Sequence, residues 1–157
     1  MHVLLAADAD WVINDVVAAL GDAETSFSIV RSGYDVSEAV KLHTPDVAVL
    51  DLQIGNMGGM AVTMALRLDE SVGALPPVPV LMLLDRRADV NLARRSAADG
   101  WLIKPLDPLR LRRAAKAVAG GGTYVEGVPV PPVAEAEPQP EATADPAETP
   151  AETVDAG

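Results

Sequence analysis

Two side chains of opposite charge each end an apolar run that is typical of a buried strand. Asp51 follows residues 47–50, and Lys104 follows residues 100–103. The carboxyl ends of parallel strands meet at one edge of a sheet, where open parallel sheets bind their ligands. A carboxylate at such an edge can accept a phosphoryl group, and an ammonium group that faces it can offset the negative charge of that group. The pattern therefore predicts a phosphoryl-handling site made by Asp51 and Lys104.

The first 120 residues alternate between strand-like and helix-like segments. The predicted strands are residues 2–6, 26–31, 46–51, 78–84 and 101–103, and the predicted helices are residues 11–20, 35–43, 60–70, 88–98 and 108–119. Asp10 and Asp107 are predicted helix N-caps, and Pro108 takes the first position of the last helix. This alternation predicts an α/β fold with a parallel sheet and helices on both of its faces.

Composition limits the class of protein. The 157 residues are 49% hydrophobic but only 3% aromatic, so the core must be aliphatic. Without cysteine the chain cannot form disulfides or thiolate metal sites. The sequence shows no signal-peptide pattern and no apolar run near the roughly 18 residues of a membrane span. A cytoplasmic protein without a direct membrane span is therefore expected.

The acidic charge is concentrated at the end of the chain. Residues 121–157 hold eight acids, no base and seven of the thirteen prolines. Such a segment buries too little apolar surface to offset its chain entropy, so the prediction is a domain over residues 1–120 and a mostly disordered acidic tail over 121–157. The less polar residues 124–130 are expected to lie against the domain or against a partner. The net charge of −11 disfavours nucleic-acid binding.

Four fragments, in this order and spacing, carry a resemblance to a known family. They are residues 3–8, 45–52, 57–59 and 101–106. Together they resemble the receiver domain of bacterial response regulators, over residues 2 to about 119. The resemblance implies a flavodoxin-like, doubly wound, five-stranded parallel sheet.

The resemblance also implies roles for individual residues. Asp51 would be the phosphoacceptor, and Lys104 would place its charge beside the phosphoryl oxygens. Pro105, joined to Lys104 by a cis bond, would fix the turn that aims the lysine. A Mg²⁺ ion would bind Asp8, Asp51 and the backbone carbonyl of Gln53. Without phosphate, Asp51 and Lys104 would still form a salt bridge, and Asp8 could be a turn residue only.

Several positions depart from the family pattern. Ala7 stands where the first of two adjacent acids is usual, which should weaken Mg²⁺ binding. Leu84 stands where a Thr or Ser hydroxyl usually follows the phosphoryl group, and Gly58 replaces a common acid. Trp101 stands where an aromatic side chain reports phosphorylation, although plain packing explains it equally well. The expected consequence is a weakened phosphorylation switch.

Seven of the nine arginines fall in one stretch of the chain. They are Arg86, Arg87, Arg94, Arg95, Arg110, Arg112 and Arg113. In this fold the stretch forms the fourth helix, fifth strand and fifth helix, the face on which receivers commonly dock partners. Arginine suits interfaces because it pairs with carboxylates through two hydrogen bonds. This arginine-rich face could simply be a solvated surface, or it could bind an acidic partner protein. The chain's own acidic tail could also fold back onto it and compete with that partner.

The sequence favours a function exercised through contacts. No second folded domain is expected after the receiver, so the first hypothesis is an orphan interaction module that serves as accessory subunit or regulator of a larger assembly, and not an enzyme. It resembles the receiver-like protein that accompanies respiratory complex I in high-GC bacteria, which would place it at the cytoplasmic side of a membrane complex. The alternative is a working phosphoacceptor in a phosphorelay. An aspartyl-nucleophile phosphatase is remote, because Gln53 stands where those enzymes have a second acid.

Overall fold

The computed structural model describes residues 1–127. Its five strands form one parallel sheet in the order β2-β1-β3-β4-β5. The strands are β1 (His2–Ala6), β2 (Ser26–Val30), β3 (Val47–Asp51), β4 (Val80–Leu84) and β5 (Gly100–Ile103). The helices are α1 (Asp10–Leu20), α2 (Val36–Leu42), α3 (Gly59–Ser71), α4 (Val90–Arg95) and α5 (Pro108–Ala119). The predicted five-stranded parallel sheet is confirmed.

Burial on both faces explains why the strand sequences are almost continuously apolar. Every residue of β1, β3 and β4 is buried. One face packs against α1 and α5, for example through Val12 and Leu111, and the other against α2 and α3, through Val40 and Leu66. Full burial of each such aliphatic side chain contributes roughly 1.5–3 kcal/mol. These two layers hold the carboxyl ends of the strands in a fixed register.

Two helix starts differ in how they are capped. Asp107 accepts the Arg110 N–H at 2.9 Å and Pro108 begins α5, so that cap is confirmed. The expected cap by Asp10 is wrong: Ala9 is the N-cap, and the Asp10 carboxylate lies 2.7 Å from the Arg31 guanidinium. An exposed cation at the end of β2 competes with the backbone amides for that carboxylate.

Helix α4 is shorter than the predicted residues 88–98. A 3₁₀ turn, Arg87–Asp89, precedes it, and the Asp89 carboxylate accepts the Arg86 N–H at 3.0 Å. The helix ends before Ala97, which has a positive φ of 61°. A second 3₁₀ turn, Gly33–Asp35, likewise takes the start of the predicted second helix. The 3₁₀ turns therefore shorten both helices at their starts.

The chain after α5 returns to the sheet. Tyr124 forms an isolated parallel bridge with Gly100 of β5. Residues 123–127, here called the C-terminal strap, lie along the outer edge of β5. The disordered tail was predicted over residues 121–157; its first residues, 121–127, are instead ordered and Tyr124 contacts β5, while residues 128–157 lie outside the described residues. Over residues 1–127, no helix combines the length and apolarity needed to cross a bilayer.

Two histidines stack at the amino-terminal edge of the sheet. The rings of His2 and His43 are 3.8 Å apart and nearly parallel, at 2°. The His2 nitrogens lie 2.8 Å from the Ser26 hydroxyl and 3.0 Å from the Ser28 hydroxyl. Burial, followed by the nearby His43, lowers the pKa of His2 below its usual 6.5. Folding therefore favours the neutral imidazole of His2.

This pKa predicts a pH-dependent stability. Below about pH 6.5 the unfolded chain binds more protons at His2 than the folded chain, so the free energy of unfolding should fall as the pH drops from 7 to 5.5. Urea unfolding should show a smaller fall for His2→Gln. Proton NMR titration of His43→Ala should give a higher His2 pKa than in the wild type. An unchanged His2 pKa in that variant would contradict the stacking argument.

Candidate functional site

Asp51 and Lys104 meet at the carboxyl edge of the sheet, although β4 lies between their strands. The Lys104 Nζ is 2.8 Å from Asp51 Oδ1, and the two side chains are only 9% and 3% exposed. The same oxygen accepts the Gln53 N–H at 3.1 Å. The peptide bond between Lys104 and Pro105 is cis, as the resemblance implies. The pair predicted from the sequence is therefore a buried, charge-assisted hydrogen bond.

Lys104 has a second carboxylate that the sequence reasoning missed. Asp85 follows β4 directly, and its Oδ1 lies 3.1 Å from the Lys104 Nζ. The available signal was the position of Asp85, at the end of the strand between the two predicted site strands. Trp11, in the first turn of α1, was also missed; its half-exposed ring has its centroid 5.4 Å from the same Nζ. One ammonium group is thus shared by two acids and an aromatic face.

The loop after Asp51 is tied to the loop after β1. Asp8 Oδ2 accepts the Gly55 N–H at 2.9 Å, and Arg31 donates to the Asp8 carbonyl at 3.2 Å. A Cβ added at Gly33 would lie 1.9 Å from the Met57 carbonyl oxygen, so only glycine permits this close approach. Asp8 therefore lies at the predicted edge, where it holds a backbone amide.

The residues present fit a divalent cation poorly. The predicted donors are the carboxylates of Asp8 and Asp51 and the backbone carbonyl of Gln53, and Asp51 Oδ1 already accepts from Lys104 and Gln53. Ala7 is fully buried among the apolar side chains beneath α1. Within residues 1–127, no three His, Cys, Asp or Glu side chains group closely enough to hold a metal ion.

Leu84 and Trp101 pack together beneath α4. Leu84 is fully buried and Trp101 nearly so, in one apolar cluster with Met82, Val90 and Ala93. The Leu84 side chain has no hydrogen-bond donor to offer to a group on Asp51. The Trp101 Nε1–H donates to the Glu126 carbonyl at 2.8 Å. The indole is thus held inside, and its hydrogen-bond partner belongs to the C-terminal strap.

Comparison with known proteins places the chain in a family. Residues 3–116 match the family model of the response regulator receiver domain. The chain belongs to the response regulator receiver family. A relative, the transcriptional regulatory protein CseB of Streptomyces coelicolor, is 31% identical over 134 residues, covering 80% of this chain and 55% of CseB. DegU of Brevibacillus brevis, another transcriptional regulatory protein, is 33% identical over 107 residues, covering 65% of this chain and 43% of DegU.

The receiver spans about half the length of the curated relatives it matches. Solved structures agree with the fold. The signal receiver domain of NarL from Mycobacterium tuberculosis is 29% identical with a TM-score of 0.65, covering 76% of this chain and 96% of that one. A response regulator from Chloroflexus aurantiacus is 21% identical with a TM-score of 0.68, covering 76% and 97%. At that identity the likeness shows the fold alone.

Four of the seven arginines between positions 86 and 113 are held by partners within residues 1–127. Arg110 pairs with Glu126, and Arg87 donates to the Gly127 carbonyl at 3.2 Å. Arg86 pairs with Asp89 at 3.0 Å. Arg112 instead donates to the Ala19 carbonyl at the end of α1. Arg112 therefore turns toward α1, away from the surface that Arg110 and Arg87 share with the strap.

The other three arginines are exposed. Arg94 and Arg95 end α4, and Arg113 lies on α5. None of the three makes a side-chain hydrogen bond or ion pair to another of the residues 1–127. Exposed guanidinium groups without a partner among residues 1–127 therefore lie on both α4 and α5.

The shared ammonium predicts an order of mutational costs. Lys104→Met strands the buried Asp51 carboxylate and should lower the free energy of unfolding by about 3 kcal/mol. Asp51→Asn should cost about 1 kcal/mol or less, because Lys104 keeps Asp85. Urea unfolding at pH 7 measures both, with Lys41→Met on α2 as the exposed-lysine control. Equal losses for the two site variants would show that Asp85 does not serve as second partner.

Proposed function

We propose that this receiver acts through protein contacts, as an orphan accessory subunit or regulator of a larger assembly, and not as an enzyme. The observation that carries the proposal is the buried hydrocarbon of Leu84 at the end of β4, between the strands of Asp51 and Lys104. A receiver switch needs a group there that follows the phosphoryl oxygens. Leucine can transmit packing but not a hydrogen bond. The phosphoryl signal is therefore weakened at its first step.

Electrostatics supports the same conclusion. A phosphoryl group on Asp51 would bring about two negative charges. The Lys104 Nζ already faces the carboxylates of Asp51 and Asp85, at 2.8 and 3.1 Å. Ala7 supplies none of the acid that would help bind a compensating cation. Added negative charge is thus poorly offset in this pocket.

A working phosphoacceptor in a phosphorelay is the second candidate. The buried Asp51–Lys104 contact favours it, because this contact keeps the acceptor and its cation in position. Phosphatase activity is a remote third candidate, since the residue two positions after Asp51 is Gln53. The amide of glutamine cannot act as a general acid or base.

Phosphorylation separates the first two candidates. We expect that acetyl phosphate with Mg²⁺ yields far less than one adduct of about 80 Da per chain by intact mass. Trp101 emission, read in a Trp11→Phe background, should stay unchanged because Leu84 provides no coupling. A stoichiometric adduct that Asp51→Asn abolishes would restore the phosphorelay. Leu84→Thr, which returns a hydroxyl, should couple any adduct to Trp101 emission.

Respiratory complex I is the proposed assembly, at the cytoplasmic side of the membrane. The proposal is supported by the resemblance to the receiver-like protein that accompanies complex I in high-GC bacteria. The excess of arginine over lysine, nine against three, fits a high-GC genome, and relatives occur in Streptomyces and Mycobacterium. The docking surface would be the α4–β5–α5 face with its exposed arginines. An acidic partner would pair with them.

Affinity capture tests that docking. Tagged wild-type receiver and Asp51→Asn should recover the same complex I subunits from detergent-solubilised membranes, and neither should recover them from cytosol. Arg94→Glu should weaken recovery at least about tenfold, since reversing an interfacial charge costs more than 1.4 kcal/mol. Lys41→Glu, the same charge change on α2 beside β1 and β2, is the matched control. Recovery of an unrelated assembly, or loss in Asp51→Asn, would refute this partner.

A further inference from the structure

The C-terminal strap closes the open edge of the sheet. β5 is the last strand in the sheet order, so its outer N–H groups have no strand partner. The Trp101 N–H donates to the Tyr124 carbonyl at 2.8 Å. The Ile103 N–H donates to Glu126 Oε2 at 3.0 Å. The strap thus takes the place of a sixth strand at two alternate positions of β5.

Glu126 occupies a site that recognises both its carboxylate and its backbone. Its Oε2 accepts from the Ile103 N–H and, at 3.1 Å, from Arg110 Nη2. Arg110 Nε lies 2.8 Å from Oε1. The Glu126 carbonyl accepts from the Trp101 indole N–H at 2.8 Å. Donors from β5 and α5 therefore converge on a single acidic residue.

A basic groove continues from the point where the strap leaves β5. The Gly127 carbonyl accepts from Arg87 at 3.2 Å, and the groove beside it, of about 430 Å³, is lined by Arg87, Val90 and Arg94. Gly127 has a φ of 66°, and a Cβ there would lie 2.6 Å from Ile103 Cδ1. This positive φ is one that L side chains rarely adopt, so the position favours glycine. The site therefore extends toward α4 with positive charge.

We propose that the outer edge of β5 is a recognition site for an extended, acidic peptide segment of a partner protein, and that the strap fills this site in cis. The partner segment pairs with the Trp101 and Ile103 N–H groups, places a carboxylate against Arg110, and continues toward Arg87 and Arg94. Strand addition of this kind is a general mode of peptide recognition. The proposal rests on the proposed function, because it specifies how the partner binds the α4–β5–α5 face.

Charge argues for a foreign peptide over a second copy of this chain. The groove beyond Gly127 presents two arginines, which complement acids. Two copies that each carry a net charge of −11 repel one another. The strap itself is joined to α5 through the three glycines at 120–122, so its effective concentration is in the millimolar range. A partner segment must displace it, and binding is an exchange.

A labelled copy of the strap is the probe. A fluorescein-labelled peptide with the sequence of residues 121–128 is titrated against full-length protein by fluorescence anisotropy. We expect Glu126→Ala, whose own strap has lost the Arg110 pair, to bind the peptide at least about tenfold more tightly than wild type. A peptide with Gln in place of Glu should bind Glu126→Ala at least about tenfold more weakly than the Glu peptide. Added salt should weaken the binding of the Glu peptide to Glu126→Ala.

Controls make the result specific. Val125→Ala changes an exposed strap side chain and should behave as wild type. Glu126→Gln, which keeps the side-chain size, replaces Glu126→Ala if circular dichroism shows that the alanine variant has lost its fold. Equal peptide affinity for wild type and the Glu126 variant, or no difference between the two peptides, would overturn the proposal. So would a Glu126→Ala dimer by light scattering, which would assign the edge to a second copy.

The peptide test and the function tests can fail independently. The titration uses neither acetyl phosphate nor a membrane complex, so a negative titration leaves docking through the exposed arginines of α4 standing. A negative capture experiment leaves the peptide site on β5 standing.

Discussion

The buried ion pair between Asp51 and Lys104 is the constraint on which this receiver's site depends. A nearly buried carboxylate is stable only when it is paired, and the ammonium reaches it past the end of β4. Asp85 gives the ammonium a second partner at 3.1 Å. The Lys104 ammonium is therefore already paired with two carboxylates before any phosphoryl group arrives. A signal that enters here must first displace interactions that already stabilise the fold.

β4 and β5 connect this pocket to the outer face, but at Leu84 the connection consists of apolar packing without a hydrogen bond. From the pocket outward, the path runs through the buried Leu84 and Trp101 to the strap. Coupling between two sites requires an element with two states that both sites bias. Here the Trp101 indole is held by the Glu126 carbonyl, while the pocket offers it only hydrocarbon. The state of the outer face is thus set by the strap more directly than by Asp51.

The sequence predicted what depends on local pattern and on the rules of parallel sheets. The strands, the α5 cap by Asp107 and the meeting of Asp51 with Lys104 all follow from apolar runs and strand ends. What it missed depends on contacts between distant residues. Asp10 turned to Arg31, 21 residues away, and the Glu126 site combines a loop with β5 and α5. Arg112 points to α1 for the same reason: no local pattern reveals which neighbour a flexible cation selects.

Because the strap already occupies the edge of β5, specificity depends on the difference in binding free energy between the strap and an incoming segment. An open edge strand would pair with any extended chain, because backbone N–H groups carry no sequence information. Here an incoming segment gains only what exceeds the strap's own contacts, and those include a carboxylate held by Ile103 and Arg110. A segment without an acid in that position loses to the strap. The strap therefore makes β5 selective, and its glutamate defines the feature that a competing partner must reproduce.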